Sequence, residues 1–426
     1  MKRVLKIGGG LAGLAVLAAG GLYAAYKSGI FRSTSTKHGA VSTVNEATAP
    51  APRAKPKPTP SWPYFRYDER RLGVNPGARA RPPFRVKWSL PVPSRGYLEA
   101  PAVVQDGVLV IGSYGKARGS DVTGIDAEKG RILWRKHFRN PSDFAGSAGI
   151  AAGRVYITGH DGFMRVFDLH SGRALWKMHV AATESPPIVS DGLVYFGDGP
   201  VGGGDGTFRA VDVKTHRVRW SYKSAGNISS GASLTGTTAY WSSYGGHVYA
   251  VNRFTGKLRW DTAVQGASGG SVPFYSTPAL DGGKLVVGGN DGSIYALNAR
   301  TGSQEWRFSG SGYVYCSASI YRGTVYIGDF GGSFHALSLK SGHQRWSYSM
   351  GPVIGSATII RGIVYIASLR PAKTYGLSAR TGKLLWTFPD GQFSPVVADR
   401  DRIWLTGKHR VYGLVMRKPK RKRPAV

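Results

Sequence analysis

Apolar residues along most of this chain fall in short runs, and the runs are separated by pairs and triplets of Gly, Asn, Asp and Thr. One stretch shows the pattern clearly. Residues 277–280 are short and small, and 284–288 are apolar and β-branched after an Asp281-Gly282-Gly283 turn. Residues 293–297 follow a second turn, Asn290-Asp291-Gly292, and Thr301-Gly302 leads the chain into 304–308. Only Gly, Asn and Asp adopt positive φ cheaply, so these turns are hairpin chemistry and the four runs are predicted strands.

The four-strand unit recurs. Trp134, Trp176, Trp220, Trp260, Trp306, Trp346 and Trp386 each follow a polar residue by eight positions (Asp126, Asp168, Asp212, Asn252, Asn298, Ser338, Ser378). A glycine stands four positions before the Trp in six of the seven, with His216 replacing it in the third. The tryptophans are spaced 40 to 46 residues apart, the length of one four-stranded propeller blade. Residues 84–90, containing Trp88, read as an outer strand with no blade before it, while 394–397, 402–405 and 410–414 are three strands with no fourth. Joining the two ends completes an eighth blade and removes the open edges. The predicted fold is all-β: an eight-bladed propeller of four-stranded antiparallel blades over residues 84–416, its last blade closed by the N-terminal strand. Within the motif, the Asp, Asn or Ser is expected to cap the turn before the outer strand. The Trp is then expected to lay its ring on the neighbouring blade, burying of order 200 Å². The eight tryptophans, Trp88 included, are therefore read as structural docking residues.

The frame Ala250-Val251-Asn252-Arg253-Phe254-Thr255-Gly256-Lys257-Leu258-Arg259-Trp260 resembles the tryptophan-docking motif of the quinoprotein (PQQ-like) β-propeller repeat family. That family divides into pyrroloquinoline-quinone (PQQ) alcohol and sugar dehydrogenases and non-catalytic BamB-like scaffolds, and the organisation here is more similar to the scaffolds. The resemblance implies, for the enzymes, a vicinal disulfide beside the cofactor and a calcium or lanthanide ion held by Glu, Asn and Asp. Cys316 is the single cysteine. Aligning the innermost strands sets Glu99, Gly146, Glu184, Ser229, Ser276, Cys316, Gly355 and Phe393 at comparable positions near the central channel, with Glu99 and Glu184 the only acids. A hard cation wants several converging oxygens, so no cofactor is expected, and PQQ with Ca2+ belongs to the alternative reading of the chain as a dehydrogenase. Glu99, Glu184, Tyr275, Tyr315 and Phe393 are the candidate binding residues of the funnel. The run Gly202-Gly203-Gly204-Asp205-Gly206 lies between strands with no helix behind it and reads as a hairpin tip, and Asp198 with Asp205 is too small a set for Ca2+.

The two ends differ in kind. Residues 1–6 are basic and 7–26 are twenty residues without a charge. At about 1.5 Å per helical residue this spans roughly 30 Å, so a single transmembrane signal-anchor is expected, with the propeller on the extracytoplasmic side of the cell membrane. A secretory signal peptide cleaved near Ala18-Ala19-Gly20 and an apolar start on a cytoplasmic protein are the alternatives. Residues 27–83 are assigned to a Pro-rich stalk and linker, extended where prolines alternate at 50–60. Residues 417–426 form a basic tail expected to be disordered.

Composition narrows the function. With 60 Gly, 22 Tyr and 11 Trp in 426 residues, helical bundles and collagen are excluded, and one Cys excludes an internal disulfide and a thiolate zinc cluster. The net charge is +33, of which the region 64–416 carries +19. Outside a membrane the available polyanions are lipid headgroups and anionic envelope polymers. The expected partners are therefore the membrane through the N-terminal helix and an envelope protein or anionic envelope polymer, met by a monomeric ring. Non-specific nucleic-acid binding is a second alternative, which the anchor and the placement of the aromatics in strand cores argue against. The sequence thus reads as a membrane-anchored extracytoplasmic scaffold.

Overall fold

The computed structural model describes residues 61–417 apart from 93–96, 115–118, 140–143, 145, 201–203 and 394–395, together with the backbone of the strand Ser42–Thr43. The anchor expected at 7–26, residues 27–60 of the linker outside that strand, and the tail from 418 lie outside the described residues. No helix among the described residues is long and apolar enough to cross a membrane.

Eight antiparallel sheets make up the ring. The innermost strands of blades 1 to 8 are Val103–Gln105, Gly149–Ala151, Ile188–Ser190, Ser233–Leu234, Ala279–Asp281, Ser319–Tyr321, Thr358–Ile360 and Val397–Ala398. Blade 5 shows the unit, continuing through Lys284–Gly288 and Ser293–Asn298 to the outer strand Gln304–Ser309. Blade 3 gains Ser42–Thr43 as a fifth, outermost strand. Blade 8 is composite: Phe84–Pro91 pairs with Arg410–Met416, Phe84 opposite Met416 and Pro91 opposite Arg410. The second strands are almost wholly buried, as in Val108–Ser113 and Leu193–Asp198, because each lies between two neighbouring blades. Clusters such as Val286, Ile294, Trp306, Val314, Ile320 and Ile327 form the core between adjacent blades.

Residues 61–83, assigned from sequence to the linker, are packed into the ring. This strap visits all eight innermost strands in order. Trp62 exchanges backbone hydrogen bonds with Val104 at 2.8 and 2.9 Å, Pro63 O accepts from Ile150 N–H at 2.8 Å, and Tyr64 Oη donates to Val189 O at 2.8 Å. Glu69 O, Arg70 O, Leu72 O and Gly73 O then accept from the N–H groups of Leu234, Leu280, Ile320 and Ile359 at 2.8 to 3.2 Å. Asn75 Nδ2 donates to Ala398 O at 2.9 Å and Arg79 N–H to Arg400 O, which brings the strap to blade 8. Trp62, Leu72, Ala78 and Ala80 are buried. The packed ring therefore includes residues 61–83, a segment that runs ahead of Phe84–Pro91 and ties every blade to its neighbours.

Candidate functional site

The repeat motif builds the seams between blades. Asp126 Oδ1 accepts from the N–H groups of Glu128 and Lys129 at 3.0 Å, and Asn298 Oδ1 from those of Arg300 and Thr301 at 3.0 and 3.2 Å. These contacts hold the turn so that its glycine sits at positive φ beneath the preceding blade's indole. A Cβ added at Gly342, φ 74°, would lie 2.8 Å from Trp306. Each indole then donates to the carbonyl that follows the capping residue. Trp134 reaches Leu169 O at 2.8 Å, Trp220 Arg253 O at 2.8 Å, Trp260 Ala299 O at 3.1 Å, Trp306 Leu339 O at 2.9 Å and Trp346 Ala379 O at 3.1 Å. Trp88 closes blade 8 on blade 1 through Ala127 O at 3.3 Å. Two positions depart from this. Trp176 stacks on His216 at 4.4 Å, and its Nε1 is buried without a partner among the described residues. Trp386 faces the composite blade, which has no such turn, and packs on Phe84 and Tyr365 at 5.3 and 5.8 Å.

The strap closes one end of the channel with two arginines. Arg66 lies in the chain between the residues that meet blades 3 and 4, yet Nη1 donates to Ala357 O at 2.7 Å and Nη2 to Ala318 O and Ser319 Oγ at 2.5 and 2.7 Å, on blades 7 and 6. Arg71 crosses the other way, Nε donating to Ala232 O at 2.6 Å, Nη1 to Phe65 O at 2.6 Å and Nη2 to Pro186 O at 3.4 Å. Both residues are buried, at 3% and 0% exposure, with carbonyl and hydroxyl acceptors in place of a carboxylate. Burial pulls their guanidinium pKa values down to about 9 and about 10, which leaves both charged at neutral pH.

The opposite end, the mouth, carries the funnel register. Counting back four residues from the first paired position of each innermost strand places Glu99, Glu184, Ser229, Tyr275, Tyr315, Ile354 and Phe393 in one register. All seven are half-buried. The next residues inward, among them Ala100, Ser185, Ser230, Ser276, Cys316 and Gly355, are buried. The eight positions aligned from sequence thus mix two registers: Gly146, Ser276, Cys316 and Gly355 belong one residue deeper. The five funnel candidates share the outer register. Glu99 and Glu184 stand on blades 1 and 3, the aromatic candidates on blades 5, 6 and 8.

Turn residues after the second strand complete the mouth. Tyr244 meets Tyr275 edge-on at 6.1 Å, Tyr275 meets Tyr315 at 6.1 Å, and Tyr315 meets Phe330 at 6.3 Å, a continuous aromatic arc over blades 4 to 6. Burial, and after it the neighbouring Tyr313, pushes the Tyr315 phenol up to about 12. Burial, followed by the Glu184 carboxylate, also raises Tyr244. Tyr244 Oη, Asn290 Oδ1 and Gln392 Oε1 are buried at this end without hydrogen-bond partners among the described residues. Glu184 is paired with His160 Nε2 at 2.9 Å. Tyr244, Asn290, Phe330 and His160 were not singled out from sequence. The signal for the first three was present: they occupy equivalent turns, 46 and 40 residues apart.

Comparison with known proteins agrees with this geometry. The sequence profile of the family described as outer membrane protein assembly factor BamB matches residues 85–227 and 204–418. The chain belongs to this family. Outer membrane protein assembly factor BamB of Burkholderia pseudomallei is 28% identical over 239 residues, 51% of this chain and 58% of the relative. Serine/threonine-protein kinase AfsK of Streptomyces griseus is 28% identical over 167 residues, 37% of this chain and 20% of the kinase. The chain therefore spans less than two thirds of either relative. Among solved structures, quinohemoprotein alcohol dehydrogenase from Comamonas testosteroni superposes with a TM-score of 0.72 over 86% of this chain and 82% of its own, at 14% identity, a likeness of fold.

The dehydrogenase likeness raises PQQ and its metal as occupants of the mouth, and the residues of this BamB-family chain do not fit them. No group of three or more His, Cys, Asp or Glu converges among the described residues. Glu184 is engaged by His160, and Glu99 stands two blades away. Cys316 is buried, donates its thiol to Gly328 O at 3.0 Å, and has its pKa pushed up to about 12 by burial. It occupies the structural position that Ser276 fills in blade 5, where Oγ meets Gly288 O at 3.0 Å. Asp198 is likewise committed, accepting from Ala181 N–H at 2.8 Å and Thr207 N–H at 3.2 Å and pairing with Arg209, so the loop after it holds no free pair of carboxylates.

Proposed function

We propose that this BamB-family propeller is an envelope scaffold that docks a partner polypeptide on the mouth of its channel. One observation carries the reading: the mouth is a half-buried ring with an aromatic arc on blades 4 to 6 and carboxylates on blades 1 and 3, while the other end is closed by the strap. A closed-ended funnel is a binding concavity and not a conduit. The arc supplies apolar contact area, and the carboxylates of Glu99 and Glu184 favour a basic residue on the partner. In the same reading, residues 7–26 anchor the chain in the cell membrane and the propeller lies outside the cytoplasm. No cofactor takes part.

The test is site-specific photocrosslinking in intact cells. A photoreactive residue at Tyr275 or Tyr315 is expected to give a discrete adduct with a protein partner. The same residue at Leu385, exposed on the outer strand of blade 7, is expected to give none. Identical patterns from all three positions, or none from the mouth in folded protein, would sink the proposal. A C-terminal reporter active only outside the cytoplasm tests the topology separately.

A further inference from the structure

Around the strap-side face, several cationic side chains are matched by carboxylates. Arg253 pairs with Asp191, Arg70 with Asp281 at 3.3 Å, Lys284 with Glu305, and Glu128 meets both Lys87 and Arg402, the latter also holding Asp399 at 2.6 Å. The seam between blades 6 and 7 instead gathers four arginines, against two in the smaller cleft between blades 4 and 5. A cleft of about 720 Å³ opens there beside the strap, and Arg322, Arg345, Arg361 and Arg380 line it without a carboxylate in the lining. None of the four makes an ion pair among the described residues. Arg345 donates Nη1 to Thr324 Oγ1 at 2.9 Å, Arg322 lies over the Tyr321 ring at 5.2 Å, and all four are exposed.

The internal repeat sharpens the contrast. Arg322 and Arg361 are the first residues of the turns between the first and second strands of blades 6 and 7, at φ 50° and 49°. Asp106 and Asp191 fill the same turn position in blades 1 and 3, and Gly282 does so in blade 5. Asp and Gly tolerate this left-handed conformation well, whereas a long cationic side chain has no backbone reason to be there. Blade 2 carries Ala152 at this position, at φ 50°. Two adjacent blades carry Arg there, and both arginines line one cleft.

We infer that this cleft is a binding site for a segment of phosphate-bearing polyanion. Guanidinium forks match the paired oxygens of phosphate, and four of them without counter-charge favour a ligand with more than one negative group. The concavity favours a chain segment that enters it over a flat membrane surface. Tyr326, Val74 and Pro76 at the wall leave room for an uncharged part of the ligand between its phosphates. The site lies on the face opposite the mouth and stands or falls independently of the docking reading above.

The experiment is calorimetric titration of the full chain with tripolyphosphate at low and moderate salt, about 50 and 300 mM, a range over which screening separates a site from diffuse attraction. Saturable binding of one equivalent is expected, weakened at least tenfold in Arg322→Gln/Arg361→Gln. The matched control is Arg259→Gln/Arg300→Gln in the smaller cleft of about 420 Å³ between blades 4 and 5, which removes the same charge and is expected to change affinity less than threefold. Arg345→Gln/Arg380→Gln, which leaves the turns untouched, must reproduce the loss. Displacement of tripolyphosphate by soluble poly(glycerol phosphate) supports the polymer as ligand. Equal weakening in the control pair overturns the proposal, as does binding of phosphatidylglycerol vesicles with no displacement by the polymer.

Discussion

Arg66→Met isolates what the strap contributes. The guanidinium makes three short hydrogen bonds to blades 6 and 7, to Ala318 O, Ser319 Oγ and Ala357 O at 2.5 to 2.7 Å. Bonds from a charged donor are worth about 1.5–3 kcal/mol each, so the gross loss is roughly 5–9 kcal/mol. Two effects offset it. Ala357 O keeps a bond from Ser319 Oγ at 2.7 Å, and Met no longer holds a desolvated charge in the channel. A net cost of about 3 kcal/mol to strap docking follows, roughly a hundredfold in its opening equilibrium. Hydrogen–deuterium exchange reads this directly, because the N–H groups of Leu280, Ile320 and Ile359 have strap carbonyls as their acceptors. Peptides covering those residues should exchange about a hundredfold faster in Arg66→Met, while Lys284–Gly288 inside blade 5 stays protected. Arg66→Lys should recover less than half of the protection, since one ammonium does not span carbonyls on two blades. Protection at Ile320 and Ile359 within threefold of the unmodified chain would refute the account of the arginine as a cross-channel brace.

Three further outcomes follow from the seams and buried groups. Trp306→Phe leaves Leu339 O unpaired and should cost about 1–2 kcal/mol in thermal unfolding, whereas Trp176→Phe removes an already unpaired N–H and should cost less; equal costs would remove the hydrogen bond from the account of docking. Cys316, with its thiol pKa raised to about 12 by burial, should resist a thiol-reactive dye in native protein and react on unfolding; rapid native reaction contradicts its placement. Burial works against the Asp329 carboxylate, but hydrogen bonds from His335, Ser311 and Ser333 outweigh it and hold the pKa below the ordinary 3.8. Its stabilising contribution is therefore complete above about that value and lost as pH falls through the folded-state pKa. Asp329→Asn should lower stability by about 2 kcal/mol at pH 7, with a difference that shrinks below pH 3.8 in pH-dependent melting; a pH-independent difference would contradict it.

What could be read from sequence follows the periodic hairpin chemistry. Turns marked by Gly fix the ends of the second strands, so the expected 284–288 is the strand Lys284–Gly288. Innermost strands carry no such marker at their start. The run expected at 277–280 is Ala279–Asp281, because Thr277 is drawn to the neighbouring blades, its N–H to Ser317 Oγ at 2.9 Å and its Oγ1 to Gly231 N–H at 2.7 Å. The same missing marker shifted half of the aligned channel positions by one residue. The strap was illegible for a different reason. It has no repeat, and its acceptors and donors lie up to 323 residues away, as in the Asn75–Ala398 contact. Nothing local distinguishes its Trp62-Pro63-Tyr64 from a linker.

Strap and composite blade together decide how the ring can be presented. Trp62 enters the ring on the strap side, pairing with Val104 beside the turn Asp106-Gly107, at the end of blade 1 opposite the mouth register. The strap then passes blades 1 to 8 and hands the chain to Phe84–Pro91 at the seam where blade 8 meets blade 1. The strap therefore contacts every innermost strand before the chain reaches the closing strand, whose loss would open the ring. The strap and its arginine cleft lie on one face of the ring and the aromatic arc on the other. The contacts that close the ring and the proposed docking surface therefore fall on opposite faces. Under the docking reading, that separation lets a partner occupy Tyr275 and Tyr315 without disturbing the contacts that keep the propeller closed.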